Sequence, residues 1–219
     1  MYEKKIIILG NGPSIKKFRF NSKKNSLIIG TNNLIYNKLF SQNKNYIYTA
    51  YDKSFFKNNI NWLNAINKSR CKIFFSKKDK NLVLNNLKIK IKNFDLLKRE
   101  TKVKNFLNKF STKKSLMSTV IIERALPLAI YLALKNKITI IELQGCEFNY
   151  FLKKNGELSN RSYFYGKKNT FFKHTISTSE KWKSSNIKKF IKIQSYLNNL
   201  KIKIIDNSKN GSLNFLNVS

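Results

Sequence analysis

The sequence predicts an α/β protein with a Rossmann-like, doubly wound and mainly parallel sheet, organised as a single domain. Three observations lead there. Short runs rich in Ile, Leu and Tyr recur along the 219 residues, and two of them are continuously apolar in the way of strands buried on both faces. Polar breaks and helix-compatible stretches separate the runs, the alternation from which crossover-connected parallel sheets are built. No internal repeat and no linker interrupts the chain, whose length suits one core.

Taken in order, Lys5-Ile6-Ile7-Ile8-Leu9 is a β-branched run that ends at Gly10 and reads as a central strand. Residues 26–31 form a second such strand, 45–49 a third and 72–75 a shorter fourth. Residues 77–115 are lysine-rich and weakly periodic, and no element is assigned to them. Residues 119–135 predict a strongly apolar helix in which Pro127 stands where it would kink the axis. A strand over 138–143 ends near Gly145, an amphipathic helix spans 180–199, and residues 201–205 close the sheet.

The formal charge of +33 arises from 39 lysines and five arginines set against 11 acids. The lysines run through the sequence without clustering, and Asn and Ile are abundant beside them, the pattern an AT-rich genome imposes. A reader of nucleic acid would favour arginine for bidentate contacts, so no nucleic-acid partner is expected. The positive field would still draw anionic nucleotides and allow peripheral contact with an anionic membrane. Cys71 and Cys146 make neither a disulfide framework nor a metal pattern, and both read as buried small hydrophobes. The first residues are too short for a signal-peptide core, and the most apolar stretch, 125–134, falls short of a membrane span. The expected location is the cytoplasm, with the inner face of the membrane as a place to rest.

In sheets of this kind ligands bind beyond the carboxyl ends of the strands. After the first strand comes Gly10-Asn11-Gly12-Pro13-Ser14: two glycines for a tight turn, and a proline suited to open a helix whose free N–H groups favour phosphate. An ordinary strand-to-helix turn would look the same. Ile15 stands where a dinucleotide motif wants a third glycine, and Thr31 and Asn32 stand where it wants an acid, which disfavours NAD. The amides of Asn32 and Asn33 could read a base or ribose, or simply make a turn. Asp52, after the third strand, is either a site acid or a helix cap. Gly145 and Glu147 follow the later strand, and Tyr163 and Tyr165 lie in an aromatic patch beyond. His174, the sole histidine, is the side chain best suited to base work near neutral pH, although a lone histidine is more often structural. With no second histidine, no paired carboxylates and no Asp-x-Asp, no metal site is expected.

In this order the pieces resemble the bacterial lipooligosaccharide sialyltransferases, and also the surface-polysaccharide proteins related to the archaeal pterin diphosphokinase-like domain. The resemblance rests on the opening strand with Gly-Asn-Gly-Pro-Ser at 10–14. It extends to Gly-Cys-Glu-Phe-Asn-Tyr at 145–150 and to Asn-Gly-Ser-Leu at 210–213. It spans most of the chain in outline, with 10–14 as its one specific motif. The resemblance implies a Rossmann-like enzyme that transfers sialic acid from a CMP-linked donor to a glycan acceptor, with no metal or other cofactor. It further implies that Asn11 and Asn32 contact the nucleotide while Gly10, Gly12, Pro13 and Ser14 shape the phosphate turn. Gly145 and Glu147 would border the site, with Ser118 and Thr119 at the donor. The family's first phosphate-contacting tyrosine falls at Asn149 or, with a one-residue slip, Tyr150. His174 would be the general base, and Tyr163 and Tyr165, with the N–H groups from Gly12 to Ser14, would stabilise the departing phosphate. Departures are visible: Asp52 replaces an asparagine, Glu147 an aspartate, and Met117-Ser118-Thr119 lacks an arginine and a glycine of the family's segment. Two other classes remain open, a Mg²⁺-dependent pterin or nucleotide diphosphokinase and a non-catalytic basic binding protein. No pattern speaks to an oligomeric state.

Overall fold

The computed structural model describes residues 4–20, 25–49, 60–74, 125–146 and 176–208, together with Leu213 and Leu216. Six parallel strands form one sheet in the order β4-β3-β2-β1-β5-β6. They are β1 (Lys5–Leu9), β2 (Ser26–Thr31), β3 (Ile47–Thr49), β4 (Lys72–Phe74), β5 (Ile140–Gln144) and β6 (Lys203–Asp206). The helices are α1 (Lys38–Ser41), α2 (Ile60–Asn67), α3 (Leu126–Asn136) and α4 (Ile176–Asn199), with 3₁₀ turns at Pro13–Lys17 and Asn32–Tyr36. This is the doubly wound parallel sheet that the alternating pattern predicts.

The boundaries shift for identifiable reasons. Residues 45 and 46 turn instead of extending, because the Asn45 N–H donates to Asn43 Oδ1 and the Tyr46 N–H to the Asn43 carbonyl. Strand β5 starts two residues late because Lys137 is left-handed (φ 52°) and the Ile138 N–H closes back on Ala133, a helix C-terminus in place of a strand start. Lys201 (φ 56°) does the same after α4, with the Ile202 N–H on Leu197, so β6 begins at Lys203 and runs on to Asp206. Pro127 lies at the start of α3 as described. It stands in the first turn of the described helix, a place proline suits, and the part of the expected helix before residue 125 lies outside the described residues.

β1 is buried on both faces, as its unbroken apolar run requires. Ile6 and Ile8 face Ala129, Ile130 and Ala133 of α3 and Phe190, Ile193 and Leu197 of α4. Ile7 and Leu9 face the other layer, with Ile15, Leu34, Phe40, Trp62 and Ile66. Side chains alternate along a strand, so one run of four apolar residues anchors both layers. Each fully buried Ile or Leu contributes about 1.5–3 kcal/mol.

The second layer depends on a missing side chain. Gly30 lies in β2 beneath the Phe40 ring, and a Cβ there would sit 2.4 Å from Phe40 Cζ. Gly30→Ala is therefore expected to destabilise the fold by about 1–3 kcal/mol through overpacking. Combined with Phe40→Leu, the total loss should fall short of the sum of the single losses by at least about 0.5 kcal/mol, read from urea unfolding of the four proteins. Strict additivity would mean that Gly30 does not make room for the ring.

Candidate functional site

The chain adds β2, β3 and β4 on one side of β1 and then crosses to lay β5 and β6 on the other. The strand order therefore reverses between β1 and β5, and open parallel sheets take their ligands in the crevice at such a point. Here the strand ends are tied into a continuous floor. The Thr31 hydroxyl donates to the Leu9 carbonyl (3.0 Å), joining β2 to β1. The Gly10 N–H donates to the Gln144 carbonyl and the Gly12 N–H to the Gly145 carbonyl, both at 2.8 Å, joining β1 to β5. Ser14 Oγ accepts from the Gly145 N–H (3.1 Å) and from Gln144 Nε2 (3.2 Å). Ser208 Oγ accepts from the Cys146 N–H (2.9 Å), and the Ser208 N–H donates to Asp206 Oδ1 (2.9 Å), bringing in β6.

Two glycines make this closure possible. A Cβ on Gly10 would lie 2.1 Å from the Gly145 carbonyl oxygen, a contact no side chain can make. Gly145 itself is left-handed, φ 70°, where side-chain-bearing residues are strained. The glycines expected to admit a ligand's phosphate instead admit one another's backbone. Of the N–H groups from Gly12 to Ser14 expected to face the phosphate, the hydrogen bonds here account for the first alone. The Gly12 N–H is held by Gly145, and Pro13 has none. The helix expected to open at Pro13 is a five-residue 3₁₀ turn, too short to build a useful dipole.

The floor offers neutral hydrogen-bonding groups. Asn11 is half-buried, and its Oδ1 is buried with no hydrogen-bond partner among the described residues. Buried acceptors are seldom left so, since desolvation costs about 1–3 kcal/mol. Asn32 is left-handed (φ 47°) at the end of β2, a conformation asparagine tolerates better than most residues. A buried relay holds it. Trp62 Nε1 donates to Tyr48 Oη (2.7 Å), which donates to the Asn32 carbonyl (2.7 Å). Burial pushes the Tyr48 phenol well above its ordinary pKa, which keeps the hydroxyl a donor. Cys71, in the layer beneath, is raised by burial to about 11, so its thiol stays neutral.

Of the residues expected at the site, Gly10, Asn11, Gly12, Pro13, Ser14, Asn32 and Gly145 stand at the ends of three adjoining strands, and Gly10, Gly12, Ser14 and Gly145 are bonded or in contact with one another. Asp52, Ser118, Thr119, Glu147, Tyr150, Tyr163, Tyr165 and His174 lie outside the described residues. Sequence reasoning missed Gln144, Asp206 and Ser208. Asp206 was findable: it is one of 11 acids and it ends a strand, but the last strand was drawn one residue short of it. Among the described residues no three His, Cys, Asp or Glu gather as a metal would need, and no helix is long and apolar enough to cross a membrane.

The sequence matches no protein-family model and no curated protein. Its fold does have solved counterparts. Sialyltransferase CstII from Campylobacter jejuni, in complex with the substrate analogue CMP-3FNeuAc, is similar with a TM-score of 0.54 and 18% identity, over 95% of this chain and 82% of that one. CST-II in complex with a trisaccharide acceptor and CMP gives 0.53 and 17%, over 94% and 82%. A CstII point mutant, described as an alpha-2,3/8-sialyltransferase, gives the same values. At such identities the likeness is one of fold.

Two outcomes test the floor. Gly10→Ala should cost about 3 kcal/mol, more than Gly145→Ala, because its methyl meets a backbone oxygen that cannot move aside. Urea midpoints rank the two, and the reverse ranking would mean that the loops yield easily. Tyr48→Phe strips Trp62 and the Asn32 carbonyl of this partner together and should cost about 2–4 kcal/mol. Tyr46→Phe, which removes the bond to the Phe20 carbonyl and the one with the Asn43 side chain, should cost less, because Asn43 keeps access to water.

Proposed function

We propose that this chain is a sialyltransferase-like glycosyltransferase that moves sialic acid or a related sugar from a CMP-linked donor to a glycan acceptor. The observation that carries the reading is the buried, unpartnered Asn11 Oδ1 at the strand-order reversal. An acceptor asks for a donor, so the complementary ligand group is a ribose hydroxyl or an exocyclic amine, not a phosphate oxygen. A cytidine nucleotide carries both. The likeness to a fold solved with CMP and with CMP-3FNeuAc supports the same choice. In this reading Asn11 and Asn32 hold the nucleoside, while Gly10, Gly12, Pro13, Ser14 and Gly145 build the floor that sets their positions. Asp52, Ser118, Thr119, Glu147 and Tyr150 border the donor.

The chemistry is one in-line displacement. The acceptor oxygen bonds to the anomeric carbon as the bond from that carbon to the phosphate oxygen breaks, and the acceptor proton passes to the His174 imidazole. CMP leaves with the bonding electrons, and the Tyr163 and Tyr165 hydroxyls donate to its phosphate. No metal takes part in this scheme. A Mg²⁺-dependent diphosphokinase would differ in needing a nucleoside triphosphate and a divalent cation.

Thermal unfolding with CMP, UMP, GMP and AMP, and with ATP, each with Mg²⁺ and with a chelator, tests the reading. CMP at about 100 times its Kd should add about 2.7 kcal/mol and raise Tm by about 5–10 °C, unchanged by the chelator. A shift seen only with ATP and Mg²⁺ would overturn it. His174→Ala should lower sugar transfer about 10²- to 10⁴-fold and keep the CMP shift. Unchanged turnover removes His174 from the base role.

A further inference from the structure

Six of the lysines that run unclustered through the sequence are brought to one side of the sheet by the fold. At the edge where the strands begin, opposite the crevice, Lys4 precedes β1, Lys44 precedes β3, Lys72 opens β4, Lys137 precedes β5, and Lys201 and Lys203 lead into β6. All six are exposed. The paired registers Lys5↔Ile140 and Ile140↔Lys203 hold the starts of β1, β5 and β6 level. Ser26 of β2 is level with them, whereas Lys72 is in register with Ile47 and, through Ile29, with Ile8. The level part of the rim therefore spans four strands, about 14 Å at a spacing of about 4.8 Å. The described residues include three acids. Glu142 is buried against Lys5, Asp206 is buried at the crevice end of β6, and Glu180 lies in the first turns of α4, which runs toward the rim. Of the acids whose side chains are described, Glu142 and Asp206, neither exposes a carboxylate at this rim.

Helix C-termini also point to this edge, and lysine complements their dipoles. That accounts for Lys137 and Lys201, which follow α3 and α4, but not for Lys4, Lys72 and Lys203, which stand on or just before strands. We infer that this rim docks the protein on an anionic lipid membrane, with the crevice turned away from the lipid. A row of point-charge ammonium groups suits a diffuse layer of anionic headgroups, whereas selective grip on a polynucleotide calls for the guanidinium fork that this chain rarely uses. The inference is independent of the nucleotide reading.

Co-sedimentation of the full chain with vesicles tests it. The wild type should pellet with phosphatidylcholine vesicles that contain phosphatidylglycerol, and not with phosphatidylcholine alone, with affinity falling steeply as salt rises. Lys4→Glu, Lys137→Glu and Lys203→Glu together should weaken binding about 100-fold. The gentler glutamine version of the same triple should weaken it about tenfold. Lys16→Glu, Lys17→Glu and Lys188→Glu alter net charge equally but lie away from the rim, and should stay within about threefold of wild type. Equal losses in the two glutamate triples, indifference to phosphatidylglycerol, or tighter binding to single-stranded RNA than to the vesicles at equal phosphate would each overturn the inference. Thermal unfolding of every variant identifies any that has not folded, and the glutamine triple then decides.

Discussion

The close approach of Gly10 to Gly145 is the constraint on which the crevice depends. Parallel strands splay where the order reverses, because their connections leave toward opposite faces. In this protein the splay is closed at once by backbone, N–H to carbonyl, with Ser14 Oγ filling the remaining valence. Only residues without a Cβ allow such proximity. Any methyl there would push the β1 loop off the β5 loop, and the positions of Asn11 and Ser14 would move with it.

This closure changes what the Gly-Asn-Gly-Pro-Ser loop can do. Read as an isolated motif, it looks like a cradle for phosphate. Folded, its glycine and serine groups are occupied in holding two strand ends together, and the asparagine between them is left with a buried acceptor. In the proposed reading the loop therefore holds the nucleoside through Asn11. Hydrogen bonds supply rigidity on both sides of that group: Thr31 to Leu9 on the β2 side, and Cys146 to Ser208 on the β6 side. Such pre-organisation lowers the ordering cost that binding would otherwise incur.

Much of the fold was legible because periodicity carries it. The unbroken Ile6-to-Leu9 run could only be a strand buried on both faces, and the order of elements then implied a sheet wound both ways. Helix ends were less legible. Lys137 and Lys201 are left-handed C-terminal residues without being glycine, so composition hid two boundaries that backbone closure set. At the site, Asn11 and Gly145 were visible from strand ends and turn chemistry. Gln144, Tyr48 and Trp62 were not, because their part comes from partners 14 to 130 residues away in sequence. No local pattern reports a contact of that range.

The charge belongs to the same argument. A floor of amides, hydroxyls and backbone holds no net positive charge of its own, and its one described acid, Asp206, is buried and caps the Ser208 N–H. Recognition there would be decided by the pattern of donors and acceptors, which is short-ranged and directional. Attraction over longer distances falls to the +33 of the whole chain. In the proposed reading the two act at different stages: the field raises the encounter rate of any anion, and the floor then discriminates among those that arrive. Separating them frees the lysines to collect at the far edge of the sheet, where no buried ligand group needs their charge.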